Sequence, residues 1–160
     1  MDAEKGPSRF DRVMLWLMPR ITPLHVWAYR KFKGRVGART TAGGPVLVLT
    51  TTGRTTGMKR SVALGYYDDG EHVYVVGSNG GLSTEPNWAL NLKANPRVEV
   101  QIGEDISHTV AELLDGRVRD DAWAAYTAAY PDYAAAEAWS GRTFPLFRLQ
   151  DVIIGDADRT

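Results

Sequence analysis

A chain of 160 residues makes one ordinary domain around a single buried core, and 44% apolar with 24% charged residues is the make-up of a soluble globular protein. The absence of cysteine excludes disulfides, thiol nucleophiles and cysteine-ligated metals, in keeping with a reducing, cytoplasmic setting. A net charge of zero conceals an asymmetry: residues 1–60 hold 12 of the 19 Lys and Arg against three acids, Asp2, Glu4 and Asp11, and the remainder is correspondingly acidic. The basic half should attract an anion, whether a phosphorylated cofactor, an anionic membrane surface or nucleic acid. Only His25, His72 and His108 could offer imidazole, and their spacing builds no zinc site. Acids near the N-terminus, with no small-residue cleavage site after an apolar run, read against a secretory signal.

Residues 8–35 read as helical and basic, with Phe10, Val13, Met14, Leu17 and Met18 at helical spacing. Pro19 and Pro23 interrupt the run, and a second short helix passes through Trp27 and Tyr29. Two readings stand for this segment. It packs on the core, or it lies at a membrane interface on the inner face of the cell membrane, with Trp16 and Trp27 at headgroup depth.

From residue 45 the period becomes two. Residues 46–51 predict a strand buried on both faces, and 61–67 and 72–77 two more, joined at Asp68-Asp69-Gly70. Residues 98–102 and 109–114 predict a further hairpin turning at 103–105, and 146–149 a late strand that closes the sheet. Thr84 is the expected N-cap of a helix through Trp88, Leu90 and Leu92, with Pro86 in its first turn. Residues 120–129 and 132–139 predict two more helices, separated by Pro131. Five or six short, mostly antiparallel strands point to a compact barrel or strongly curled sheet, and no strand–helix alternation supports a Rossmann fold. The expected organisation is an N-terminal helical segment, 1–35, on a cofactor-binding domain, 36–160.

Three clusters could carry chemistry. Residues 50–60 join two strands and combine five Thr with Gly53, Gly57, Arg54, Lys59 and Arg60. Backbone N–H groups and guanidinium forks in such a turn suit phosphate oxygens. The spacing to Lys59 is not that of a Walker A loop. The second cluster is Gly77-Ser78-Asn79-Gly80-Gly81, running into Thr84, Asn87 and Trp88, a glycine-rich backbone near a helix start. Trp88 and Asn91 share a helix face, fit either to lie against an aromatic ring or to pack in the core. The third is Tyr126, Tyr130 and Tyr133 with Trp139 and Arg142. Such aromatics pack, or a phenol there donates a proton or hydrogen bond to a substrate carbonyl or nitro oxygen.

The run Gly53-Arg54-x-Thr56-Gly57-x-x-Arg60, then Ser78-x-Gly80-Gly81, Pro86-x-Trp88-x-x-Asn91 and Tyr130-Pro131-x-Tyr133 resembles the deazaflavin-dependent nitroreductase family. The resemblance implies a split β-barrel of the flavin-reductase type, α+β and mostly antiparallel, with a helix at the N-terminus and short peripheral helices. It implies hydride transfer from reduced coenzyme F-420 to a quinone, enone or nitroaromatic acceptor; for the assembly, monomer and homodimer both stand. The expected cofactor contacts are Thr52, Gly53, Arg54, Thr55, Thr56, Gly57, Lys59, Arg60, Ser78, Asn79, Asn87, Trp88 and Asn91. Ser78, Tyr130 and Tyr133 are expected to orient and protonate the acceptor. Thr55 and Asn79 stand where the family carries Lys, which loosens the hold on an acidic tail, and Ala136 replaces a family Tyr. A flavin mononucleotide protein on the same barrel and a non-catalytic membrane-surface module are the rival readings. No basic–aromatic platform for nucleic acid is apparent.

Overall fold

The computed structural model describes residues 23–34, 40 and 44–155. In chain order these give helix α1 (residues 23–31), β1 (Val46–Thr52), β2 (Lys59–Gly65), β3 (Tyr67–Asp68), β4 (Val73–Val76) and a 3-10 turn (Asn79–Gly81). Then follow α2 (Asn87–Ala94), β5 (Arg97–Ile102), β6 (Asp105–Leu113), α3 (Gly116–Ala129), α4 (Asp132–Ser140) and β7 (Leu146–Leu149). Residues 8–22 of the expected N-terminal helical run lie outside the described residues; its second helix is α1.

All seven strands join one antiparallel sheet in the order β2-β1-β5-β6-β7-β4-β3. Its two edge strands, β2 and β3, are consecutive in the chain and separated by Tyr66 alone. The sheet must therefore curl until its edges meet at that residue, where the Tyr66 N–H donates to the Pro45 carbonyl at 3.1 Å. This is the expected split β-barrel.

Inside the curl, Leu47, Leu49, Val75, Val100, Phe147 and Leu149 pack against Trp88, Ala89 and Leu92 of α2. On the outer face, Val26 and Tyr29 of α1 cover Val46 and Val48. The Tyr29 hydroxyl donates to the Val46 carbonyl and accepts from the Gly103 N–H, both at 2.9 Å, so one buried phenol pins α1 to β1 and to the β5–β6 turn. Residues 46–51 are buried throughout, as their apolar run predicts.

Four local expectations are corrected. The strand expected over 61–67 breaks at Tyr66, because the chain there passes from one sheet edge to the other. β6 begins at Asp105 rather than 109, since Gly103, at φ +57°, lets Ile102 pair directly with Asp105. α3 starts at Gly116, four residues before the Ala-rich run. Thr84 does not cap α2: Pro86 holds the N-cap position without a side-chain bond, and Thr84 instead accepts the amide of Asn79.

Candidate active site

The β1–β2 ladder runs to the pair Thr52–Lys59, leaving residues 53–58 as a loop. Gly53 N–H donates to the Met58 carbonyl and Gly57 N–H to the Gly53 carbonyl, each at 2.8 Å, while Gly57 takes φ +67°. The loop is anchored from outside by α2. Asn91, 5% exposed, accepts at Oδ1 from the Arg54 backbone N–H and from Arg54 Nη1, both at 3.1 Å. Its Nδ2 donates to Thr51 Oγ1 at 3.1 Å. One helical turn earlier, Asn87 Oδ1 receives Nη1 and Nη2 of Arg54 at 3.3 Å. The Arg54 guanidinium is thus oriented by two neutral carbonyl oxygens, which fix its direction without neutralising its charge.

This loop forms one end of a groove of about 1160 Å³ along the β2 edge. Gly53, Thr55, Thr56, Lys59 and Arg60 line it with Asn87, Trp88 and Asn91, and α1 adds Trp27, Arg30 and Lys31. Among the described residues five cations and no acid line the groove, and of these cations only Arg30 has an acidic partner, Glu99 at 3.2 Å. Among the described residues Lys31, Arg54, Lys59 and Arg60 form no ion pair; Lys59 Nζ donates to Thr52 Oγ1 at 3.1 Å and Lys31 Nζ sits 4.6 Å from the Trp27 ring centroid. Such a concentration of unneutralised charge suits a ligand with several negative charges. Trp88 serves core and groove together: it is 9% exposed, and its ring centroid lies 5.9 Å from that of Phe147.

A second cavity, of about 260 Å³, is walled by Ser78, Gly80 and Gly81 on one side and by Tyr126, Tyr130, Tyr133 and Ala136 on the other. Gly44 and Gly65 also line it, and at Gly44 a Cβ would lie 3.0 Å from the Tyr130 ring. The tyrosines pack edge to face, Tyr126 against Tyr133 at 5.0 Å and against Tyr130 at 5.5 Å between centroids. Burial pushes the Tyr126 hydroxyl well above the usual phenol range, with Tyr133 and Tyr130 adding to the effect, so it stays neutral at any physiological pH. Tyr130 Oη donates to the Tyr66 carbonyl at 3.4 Å. Strand β2 runs past both cavities, with Ser61 and Val62 at the groove and Gly65 at the pocket, four residues or roughly 13 Å further on.

Of the expected cofactor residues, then, nine line the groove and Ser78 lines the pocket. Thr52 and Gly57 are not among the lining residues, although the Thr52 hydroxyl holds Lys59. Asn79 also lies apart, its amide donating to the Thr84 carbonyl and hydroxyl. Sequence reasoning missed the α1 wall: the Trp27, Arg30, Lys31 cluster is visible in the chain, but nothing local says that it faces residues 53–62. It also missed Thr40, Tyr66 and Asp132 at the pocket. Among the described residues no cluster of potential metal ligands occurs, and no helix is long and apolar enough to cross a membrane.

The curled sheet, with a cationic groove at one edge and a tyrosine-walled pocket beside it, defines a split β-barrel protein. Residues 21–151 match the model of the F420H(2)-dependent quinone reductase family, and the chain belongs to that family. A protein of the same description from Mycobacterium tuberculosis is 44% identical over 80 residues, 50% of this chain and 54% of that protein. The aligned part thus spans about half the length of that curated relative. A second M. tuberculosis protein, putatively of the same description, is 31% identical over 116 residues, covering 72% of this chain and 98% of its own length. Among solved structures the F-420-H2 dependent reductase FDR-A superposes with a TM-score of 0.61 at 36% identity, covering 66% of this chain and 94% of that one.

Proposed function

We propose that this protein is a reductase that passes a hydride from reduced coenzyme F-420 to a quinone. The observation that carries this reading is the set of four unneutralised cations in a groove that shares strand β2 with a tyrosine-lined pocket. Arg54, Lys59 and Arg60 hold the phosphate, and Arg30 and Lys31 face the acidic tail. Trp88 forms the apolar wall against which a flat ring rests. When bound, the deazaflavin supplies the hydride, and orientation by the protein provides most of the catalysis. Ser78 and Tyr133 donate hydrogen bonds to the acceptor oxygen, and a proton for the reduced product comes from this hydroxyl pair or through it. Tyr130, already turned to the Tyr66 carbonyl, sets the pocket's width. Enones and nitroaromatics offer the same oxygen to the same donors, so they fall within the acceptor range.

Titrating the protein with the deazaflavin and with FMN by fluorescence quenching, followed by menadione reduction, tests the reading. Tight FMN binding with none of the deazaflavin would overturn it. Arg60→Ala should weaken cofactor binding by about 1–3 kcal/mol, the range for a hydrogen bond to a charged group. Wild-type affinity in that variant would remove Arg60 from the site. Tyr133→Phe should lower turnover while leaving cofactor affinity in place; equal loss of both would make Tyr133 a packing residue.

A membrane-surface role alongside this activity is favoured by one observation. Helix α1 buries Val26 and Tyr29 but exposes Leu24 (64%) and Trp27 (54%), and Phe32 just beyond it is 46% exposed, beside Lys31 and Lys33. An apolar rim flanked by cations suits the cytoplasmic face of an anionic bilayer, where quinones reside. Flotation with anionic vesicles, lost in Trp27→Ser, is the expected result.

A further inference from the structure

Between β4 and α2 the chain takes a left-handed path for three residues in succession: Asn79 at φ +50°, Gly80 at +62° and Gly81 at +78°. Ser78, Gly80 and Gly81 of this turn form one wall of the tyrosine pocket. Its internal bonds are few, Gly81 N–H to the Ser78 carbonyl at 2.9 Å and Leu82 N–H to the Asn79 carbonyl at 3.2 Å. A path of this kind persists where its surroundings over-determine it.

Besides Trp139 of α4, which rests on Gly81, the surroundings include one side chain that holds both ends of the turn, 60 residues downstream. Arg142 Nε donates to the Leu82 carbonyl at 2.8 Å, and Nη2 donates to the Gly77 and Ser78 carbonyls at 3.0 and 2.7 Å. The guanidinium therefore grips the turn at both ends, and its plane is backed by Phe144, 4.6 Å from the ring centroid. Nη1 is buried without a partner among the described residues. A chain that leaves a charged donor unpaired to place the other two nitrogens has position, not local stability, as the gain. Arg142 does not line the pocket.

We infer that Arg142 is a positioning residue for the acceptor: by clamping the carbonyls of Gly77, Ser78 and Leu82 it fixes the left-handed turn that presents the Ser78 hydroxyl to the pocket. The inference rests on the reading of that pocket as the acceptor site. A planar fork is needed for the whole of this grip, because a lysine ammonium can hold one end of the turn but cannot span both from one point.

The test compares Arg142→Ala and Arg142→Lys with the wild-type protein, using reduced F-420 and menadione. Arg142→Ala should raise the menadione KM on the order of ten- to a hundredfold, the effect of a small misplacement at a site, with cofactor affinity unchanged. Arg142→Lys should recover part of the loss, and millimolar guanidinium should restore Arg142→Ala. A merely structural role would lower the melting temperature without moving KM, and guanidinium would then worsen matters. An unchanged KM in either variant, or a cofactor affinity that falls in step with KM, overturns the inference. Should Arg142→Ala fail to fold, Arg142→Lys decides by the same KM criterion. If the wild-type protein takes no deazaflavin, the functional reading fails on its own. Amide hydrogen exchange then decides for the clamp: protection at Gly81 and Leu82 should drop in the variants, and unchanged protection overturns it.

Discussion

Asn91→Ala is expected to lower stability by about 2–3 kcal/mol and to weaken cofactor binding about tenfold, since both effects pass through one buried amide. Asn91 Oδ1 holds the Arg54 backbone and guanidinium, while Nδ2 holds the Thr51 hydroxyl, and Thr51 is fully buried. The Thr51 hydroxyl in turn donates to the Arg60 carbonyl at 3.4 Å. Removing the amide leaves the buried Thr51 hydroxyl and the partly buried Arg54 N–H without this partner. The loss is a large part of the 5–15 kcal/mol that holds a domain of this size together. Both ends of the loop loosen together, so Arg54 and Arg60 no longer converge on one anion. Asn91→Asp separates the two effects. It keeps the acceptor oxygen and much of the stability but neutralises Arg54, so affinity should fall further than stability. Urea melts and fluorescence-quenching titrations read the two quantities. Affinity equal to wild type in Asn91→Asp would show that Arg54's charge faces no ligand.

The same amide shows what the sequence discloses and what it withholds. Residues 50–60 are legible as an anion-binding turn because the signal is local: glycines four apart, hydroxyls, and cations within one hairpin. The split barrel is legible because hairpin turns and period-two runs are local too. Asn91 appears in the sequence only as a neighbour of Trp88 on a helix. That its amide is consumed by the loop, rather than turned to a cofactor ring, depends on α2 docking 37 residues away from Arg54. Helix α1 is the stronger case. In the sequence Trp27, Arg30 and Lys31 read first as core cover and second as lipid contact, and only the burial of Val26 and Tyr29 against β1 turns their opposite side toward the groove. Thr84 failed as a cap for a related reason: the left-handed turn before it brings Asn79 within 3.0 Å of its carbonyl, so its polar groups already have a partner. Local patterns of hydrogen bonding and period carry through to the structure, while contacts between distant segments decide which polar group is spent and which is left for a ligand.

Gly81→Ala should cost about 2–4 kcal/mol, a left-handed residue gaining a side chain plus an overpacked contact. Gly81 sits at φ +78°, and a Cβ there would lie 2.4 Å from Trp139 Cζ3 and 2.9 Å from Cε3. The indole of α4 rests directly on the backbone of the turn, which closes the corner of the tyrosine pocket between Gly81 and Ala136. Two controls separate the contributions. Gly57, at φ +67° with nothing within 4 Å of its would-be Cβ, carries the backbone penalty alone, so Gly57→Ala should cost only about 1–2 kcal/mol. Adding Trp139→Ala to Gly81→Ala should relieve the clash, giving a coupling in a double-mutant cycle that neither single change predicts. Because the displaced indole is 37% exposed, it can swing toward solvent, and α4 would then lose its seat on the turn. The menadione KM should rise with it, while cofactor affinity, set by the groove beyond β2, stays put. Equal losses in Gly81→Ala and Gly57→Ala, with no coupling to Trp139, would show that backbone conformation alone requires glycine here and that α4 bounds the acceptor pocket by some other contact.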